Sequence, residues 1–255
     1  QALIDPMDPE RKMRMFKTLV NMGFKEIEVG FPAASDIDFQ FVRRLINENL
    51  IPDDVTIMVM TQAREDLITK SVEAVKGAKK AIVHIYNATA PAWRDIVFNM
   101  SVEQVMQLIH RQVSYLKQIT DGIPETQWIL QYSPETFSAT ELPVALEACH
   151  VALKAWNVGP DRKVIINLPT TVENTTPNVL AITNMKNDTV PVLVRQCSPP
   201  PDFTCIKQHD LHAKTFFFGS SRSHKLCRGS CKLMVYSFLE SSEDVLGVPL
   251  ECASG

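Results

Sequence analysis

Residues 80–86 read KAIVHIY, a short apolar run entered from GAKK and left into NATAP. Side chains alternate across a strand, so Ile82, His84 and Tyr86 share one face, and Ala81, Val83 and Ile85 share the other. One face is fit to pack against helices, and the other turns polar toward its carboxyl end. The same shape recurs at residues 25–30 (KEIEVG), 55–60 (VTIMVM), 127–132 (QWILQY) and 163–168 (KVIINL), with helix-like stretches between. Strand and helix alternate with a period of roughly 30 to 45 residues, the plan of a parallel α/β enzyme with right-handed crossovers. In such folds the carboxyl ends of the strands carry the chemistry. Here those ends supply Glu28, Thr61, His84, Ser133 with Glu135, and Asn167 with Thr171.

The helices announce themselves by spacing. Over residues 8–22 Asp8 is placed to cap, Pro9 suits the first turn, and Met13, Phe16, Leu19 and Val20 recur at helical intervals before Gly23. Further helices are predicted near residues 35–49, 64–77, 101–120 and 139–156. Beyond Pro177 the periodicity decays. A run at residues 189–194 could add one more strand, but Ser198 is followed by three prolines, which cannot donate ladder hydrogen bonds. The expected division is an enzyme-like body over residues 1–179 and an atypical, poorly ordered tail over 180–255.

The chain has 255 residues, 45% of them hydrophobic, and a formal net charge of −3. A core of useful size is available, and no run of Lys or Arg argues for nucleic acid or an anionic membrane as partner. No apolar stretch approaches the roughly 20 residues of a membrane span, and no export leader is visible. Of six cysteines only Cys149 lies in the body, which fits a reducing compartment. In the tail, Cys205, His209, His212, Cys227 and Cys231 lack the usual spacing of a zinc knuckle.

A lone histidine at a strand end is most often structural, and a lone Glu near a loop is most often solvated. Several such residues at one end of successive strands point to function instead. Parity turns Glu26 and Glu28 away from Ile27 and Val29, which places a carboxylate inside the fold. Ser133 and Glu135 stand just past the run at 127–132. Asn167 and Thr171 do the same on the next run, with Pro169 stiffening the turn. Tyr86 alone could simply fill volume.

The segments LIDPM, FKEIEVGFPAAS, IPDDVTIMVMTQARE, GAKKAIVHIYNAT, IVFNMS, YSPETFS and INLPTTVENTTPNV resemble 2-isopropylmalate synthases in order and spacing, from Gln1 to about residue 179. Homocitrate and citramalate synthases share the architecture, but IEVGFPAAS and NLPTTVE point to the leucine-pathway enzyme. The resemblance implies a (β/α)8 TIM barrel, present here from its second to its sixth strand with room for a seventh. It implies an acyltransferase that condenses acetyl-CoA with 2-oxoisovalerate on a divalent metal (Mg, Mn or Zn), as a homodimer in the cytoplasm, or in the mitochondrial matrix of a eukaryote. Carried over by motif, Glu135 is the catalytic carboxylate. His84 and Thr171 contact the polar end of the oxo acid, while Met60, Tyr86, Ser133, Asn167 and Pro169 line its branched side chain. Glu28 stands close to the metal without ligating it.

Three departures accompany the resemblance. The family's Arg-Asp-Gly-x-Gln motif, source of a substrate-binding Arg and a metal-binding Asp, is met here only at its last residue, Gln1. Where a His-x-His metal motif belongs, this chain reads VRQCSPPPDFTC, and Gln131 stands where many relatives have Glu. Turnover by this chain alone is therefore not expected. Two other readings remain at this stage: a noncatalytic fragment that binds a full-length partner or the oxo acid, and a related acyltransferase such as homocitrate synthase. A dicarboxylic substrate would need an added cation in the pocket, and a branched apolar one an apolar wall. An open sheet would also be prone to associate through its edges.

Overall fold

A computed structural model describes residues 7–159 and 162–169, together with the backbone of 192–197 and 215–216. Seven strands form one parallel sheet: β1 (Glu26–Gly30), β2 (Thr56–Gln62), β3 (Lys80–Ala88), β4 (Gln127–Glu135), β5 (Val164–Pro169), β6 (Val192–Cys197) and β7 (Thr215–Phe216). Their spatial order is β6-β5-β4-β3-β2-β1-β7. Five helices alternate with the first five strands: α1 (Pro9–Asn21), α2 (Asp36–Asn47), α3 (Glu65–Val75), α4 (Val102–Asp121) and α5 (Leu142–Trp156). Consecutive strands β1 to β6 are neighbours, which is the strand order of a (β/α)8 barrel over part of its circumference.

Local chemistry sets the helix starts where the sequence put them. The Asp8 side chain accepts from Arg11 N at 2.8 Å and opens α1. Ser35 accepts from Asp38 N at 3.1 Å and opens α2. Ser101 and Gln104 form a reciprocal capping box on α4. The outward faces of the strands pack on these helices in two clusters. Ile27, Val29, Ile57, Val59 and Ala81 meet Phe16, Phe41, Val42 and Leu45 in one. Val83, Ile85, Leu130, Tyr132, Val164 and Ile166 meet Ile109, Val113, Leu116 and Trp156 in the other.

Three features differ from, or extend, the sequence reading. Thr61 pairs in register with Ile85 on the helix side of the sheet, so it is no part of the polar face gathered at the mouth. Parity with Ile57 and Val59 accounts for this. A sixth strand exists, three residues later than the run at 189–194, and pairs with β5 from Val164↔Val192 to Pro169↔Cys197. The edge strand β1 is also paired, with Thr215 and Phe216 opposite Glu26 and Ile27. Two residues are too few to leave a period in the sequence. Thr171 and the tail Cys and His residues lie outside the described residues. Among the described residues no helix is long and apolar enough to cross a membrane.

Candidate active site at the carboxyl ends of the strands

Register arranges the inward side chains in rows. At the bottom stand Met58, Ile82 and Ile129, and Ile165, paired with Gln131 one row higher, packs down on Met58 and Ile82 to close a small apolar cluster. Glu28 is in register with Met58. One row higher stand Met60, His84 and Gln131, and above them Gln62, Tyr86 and Ser133. Ala88 and Glu135 end their strands side by side. The five strands thus bring most of the residues singled out in the sequence to one mouth.

The centre of the mouth is a hydrogen-bonded trio. The Ser133 oxygen accepts from Asn167 Nδ2 at 2.7 Å and lies 2.7 Å from His84 Nε2. All three residues are buried, so these bonds operate where water does not compete. The Tyr86 ring meets the His84 ring edge-on, with centroids 6.4 Å apart and planes at 66°. Met60 and Pro169 lie half-buried on the same inward face.

On the inward face, Glu28, Glu135 and Tyr86 carry shifted affinities for protons. Glu28 is 8% exposed, and burial pushes its carboxyl up to about 8, so it is mostly protonated and neutral at pH 7. Burial also raises the proton affinity of the half-buried Glu135 carboxyl. Burial raises the Tyr86 phenol, its hydrogen bond with Gln62 works the other way, and the Glu135 charge raises it further. Gln62, Tyr86 and Glu135 are therefore electrostatic neighbours. Burial pushes the Cys149 thiol up to about 12 among helix-side apolar residues, so it takes no part in this mouth.

Sequence reasoning missed Gln62 and the framework behind Glu135. Thr89 N donates to the Glu135 carbonyl at 3.2 Å. Thr136 holds a left-handed backbone with φ at 58°, and its hydroxyl accepts from Trp93 Nε1 at 3.2 Å. Arg94, 5% exposed, donates both guanidinium nitrogens to the Glu141 carboxylate at 3.1 and 2.7 Å. The two loops that follow β3 and β4 are thus tied together around the candidate base. Partners 43 to 47 residues apart leave no periodic signal; for Gln62 the signal was its parity with Met60, two positions earlier.

The loop after β1 is pinned from a different side. Asp38 pairs with Lys12 and accepts from Phe31 N at 2.9 Å. Gly30 has φ at 148°, and a Cβ there would come within 3.0 Å of the Asp38 carboxylate. Only glycine suits that backbone and that approach.

Gln131 is fully buried, and neither its Nε2 nor its Oε1 has a partner among the described residues. For a divalent metal the described residues do not suffice. No group of three or more His, Cys, Asp or Glu among them is placed to hold an ion.

Comparison with known proteins agrees with this geometry. Over 181 residues the chain is 62% identical to the 2-isopropylmalate synthase of Herbaspirillum seropedicae, which is 71% of this chain and 32% of that protein. The 2-isopropylmalate synthases of Cupriavidus taiwanensis and Ralstonia nicotianae are 57% and 56% identical over the same 71% of the chain, which is 32% and 31% of their own lengths. The chain therefore spans about a third of the length of these curated relatives. The HMGL-like family matches residues 1–209, which takes in every strand from β1 to β6. With the parallel sheet, the polar mouth and this match in agreement, the chain belongs to the HMGL-like family and is similar to the 2-isopropylmalate synthases.

Proposed function

We propose that this chain carries the oxo-acid-binding part of a 2-isopropylmalate synthase barrel, the enzyme that joins acetyl-CoA to 2-oxoisovalerate at the start of leucine biosynthesis. The observation that carries the reading is the trio of Ser133, His84 and Asn167 at one mouth with Tyr86 and Glu135. His84 is assigned to the polar end of the oxo acid, joined by Thr171 on the strength of the resemblance. Met60, Tyr86, Ser133, Asn167 and Pro169 are assigned to the wall around its branched side chain. Glu135 is the candidate base for the acetyl methyl proton, with Arg94, Thr89 and Thr136 holding its loop. Glu28 adds a neutral carboxyl below the mouth.

A branched apolar acid suits this face better than a dicarboxylic one. Among the described inward residues of β1 to β5, the half toward the mouth is Met60, Gln62, His84, Tyr86, Gln131, Ser133, Glu135, Asn167 and Pro169, without Lys or Arg. This favours 2-isopropylmalate synthase over homocitrate synthase. The divalent metal of the family (Mg, Mn or Zn) needs ligands beyond the described residues, and no step is assigned to it. Condensation by the chain alone is accordingly not expected, and ligand binding is the activity to measure.

Calorimetric titration of the whole chain with 2-oxoisovalerate and, separately, 2-oxoglutarate tests the assignment. The reading expects 2-oxoisovalerate to bind the more tightly, with Ser133→Ala weakening it by about tenfold, the order expected when a buried hydrogen bond is lost. Preference for the dicarboxylic acid would turn the reading toward homocitrate synthase. CoA release above the uncatalysed rate with Mg or Mn present would overturn the expectation of no turnover.

A further inference from the structure

We infer that Thr136, anchored by Trp93, is a positioning residue for Glu135: its left-handed backbone turns the chain directly after β4 and holds Glu135 as the last side chain on the inward face. The inference deepens the assignment of Glu135 as the candidate base and rests on that reading for its consequence, though not for the positioning itself.

Among the described residues, the non-glycine positions with positive φ are Asn49, Asn99, Thr136 and Asn157. Asparagine visits this region readily, because its short polar side chain can bond locally. Asn99 and Asn157 do so where the helical segments Trp93–Phe98 and α5 end. Thr136 is the exception, with φ 58° and ψ 40° on a β-branched side chain, for which that conformation is an outlier. Such an outlier persists only where its surroundings over-determine it, and here they do. The Thr136 carbonyl accepts from Thr140 Oγ1 at 2.9 Å and from Ala139 N at 3.0 Å. The carbonyl before it, that of Glu135, accepts from Thr89 N at 3.2 Å, and the Thr89 and Thr140 hydroxyls lie 2.9 Å apart. The Thr136 hydroxyl itself accepts from Trp93 Nε1 at 3.2 Å.

The bond to Trp93 turns this restraint into a constraint on Glu135. Rotation about χ1 is stiff in a β-branched residue, so fixing the hydroxyl fixes the backbone that carries it, and an indole N–H can only donate. The Glu135 side chain ends β4 beside Ala88 and is half-buried. The loops that meet here carry Arg94, Asp95 and Glu141, and β3 carries Tyr86. Arg94 and Glu141 form an ion pair, and burial rather than a neighbouring charge raises the Glu135 carboxyl. A turn relaxed toward extended backbone would let that carboxyl swing into water and lose the rise.

Carbon-13 NMR of the whole ligand-free chain with carboxyl-labelled glutamate follows the Glu135 carboxyl through its titration, with Glu135→Gln identifying the signal. In the unsubstituted chain the midpoint should stand above the ordinary glutamate value. Thr136→Val keeps the shape and removes the acceptor, so its midpoint should fall toward that ordinary value. Trp93→Phe removes the matching donor and should produce the same fall, and the double variant no greater one, because all three lose a single bond. Thr136→Ser retains the hydroxyl and should keep the raised midpoint. A midpoint in Thr136→Val or Trp93→Phe equal to that of the unsubstituted chain, even with a lowered melting temperature, overturns the inference and leaves Thr136 a structural turn residue. An unraised midpoint in the unsubstituted chain, or a fall in Thr136→Ser as large as in Thr136→Val, overturns it as well. Trp93 is 41% exposed, so Trp93→Phe keeps the test in place if Thr136→Val does not fold. The titration uses no ligand: if 2-oxoisovalerate fails to bind the chain, the functional reading is lost and the positioning of Glu135 stands.

Discussion

On β3, Val83 and Ile85 look outward into the helices while His84 and Tyr86 look inward, and the same division runs across five strands. The outward side is continuous apolar packing in two clusters. The inward side holds one small apolar cluster and, beside and above it, Glu28, His84, Gln131, Ser133 and Asn167, all buried. Both sides exclude water, but only the outward one does so at little cost. Burying Glu28 raises its proton affinity, and burying Gln131 leaves an amide without a partner among the described residues. A sheet that needed only to fold would not hold such groups. The difference separates residues that stabilise the body from residues placed for a ligand.

The largest effect should come from cutting into the outward side. Trp156 is 1% exposed, donates from Nε1 to the Lys163 carbonyl at 3.2 Å, and lies under the Arg162 guanidinium. Trp156→Ala should lower unfolding stability by about 3–5 kcal/mol, read from urea titration. A loss under about 1 kcal/mol would mean that the outward cluster does not carry the fold.

On the inward side the sign should reverse. Glu28 has a proton affinity raised by folding, so its contribution is intact below the unfolded-state value near 4.5 and is lost as pH rises toward about 8. Stability of the chain should fall across that window, and Glu28→Gln should flatten the fall and raise stability at pH 7 by roughly 2–3 kcal/mol. Denaturant midpoints measured from pH 5 to 8 check this, and parallel profiles for the two proteins would place the Glu28 carboxyl in water.

A smaller loss is expected where the two sides meet. Gly30→Ala forces a side chain into a φ of 148° and against Asp38, which should cost about 1–3 kcal/mol. An unchanged melting temperature would show that the β1 loop adapts.

Much of this division was legible in the sequence, because parity on an apolar run needs only the residues of that run. His84, Tyr86 and Glu28 were placed on the inward side by it, Asn167 was marked by its place at a strand end, and Asp8 announced the first helix as its cap. Thr61 was misplaced because strand-end position was weighed without parity. The ties among Thr89, Trp93, Arg94, Thr136 and Glu141 were invisible because they join two loops by single hydrogen bonds with no repeat. The pairing of Thr215 and Phe216 with β1 was invisible for the same reason, being only two residues long.

The most direct test of the claim that the inward side is a ligand site uses the methionines, which sample both sides. Met60 faces the mouth, whereas Met13 and Met106 pack among the helices. With methyl-labelled methionine, titration with 2-oxoisovalerate should shift the Met60 methyl in a saturable manner and leave Met13 and Met106 unmoved. Saturable shifts at Met13 or Met106 with Met60 unchanged would contradict the account.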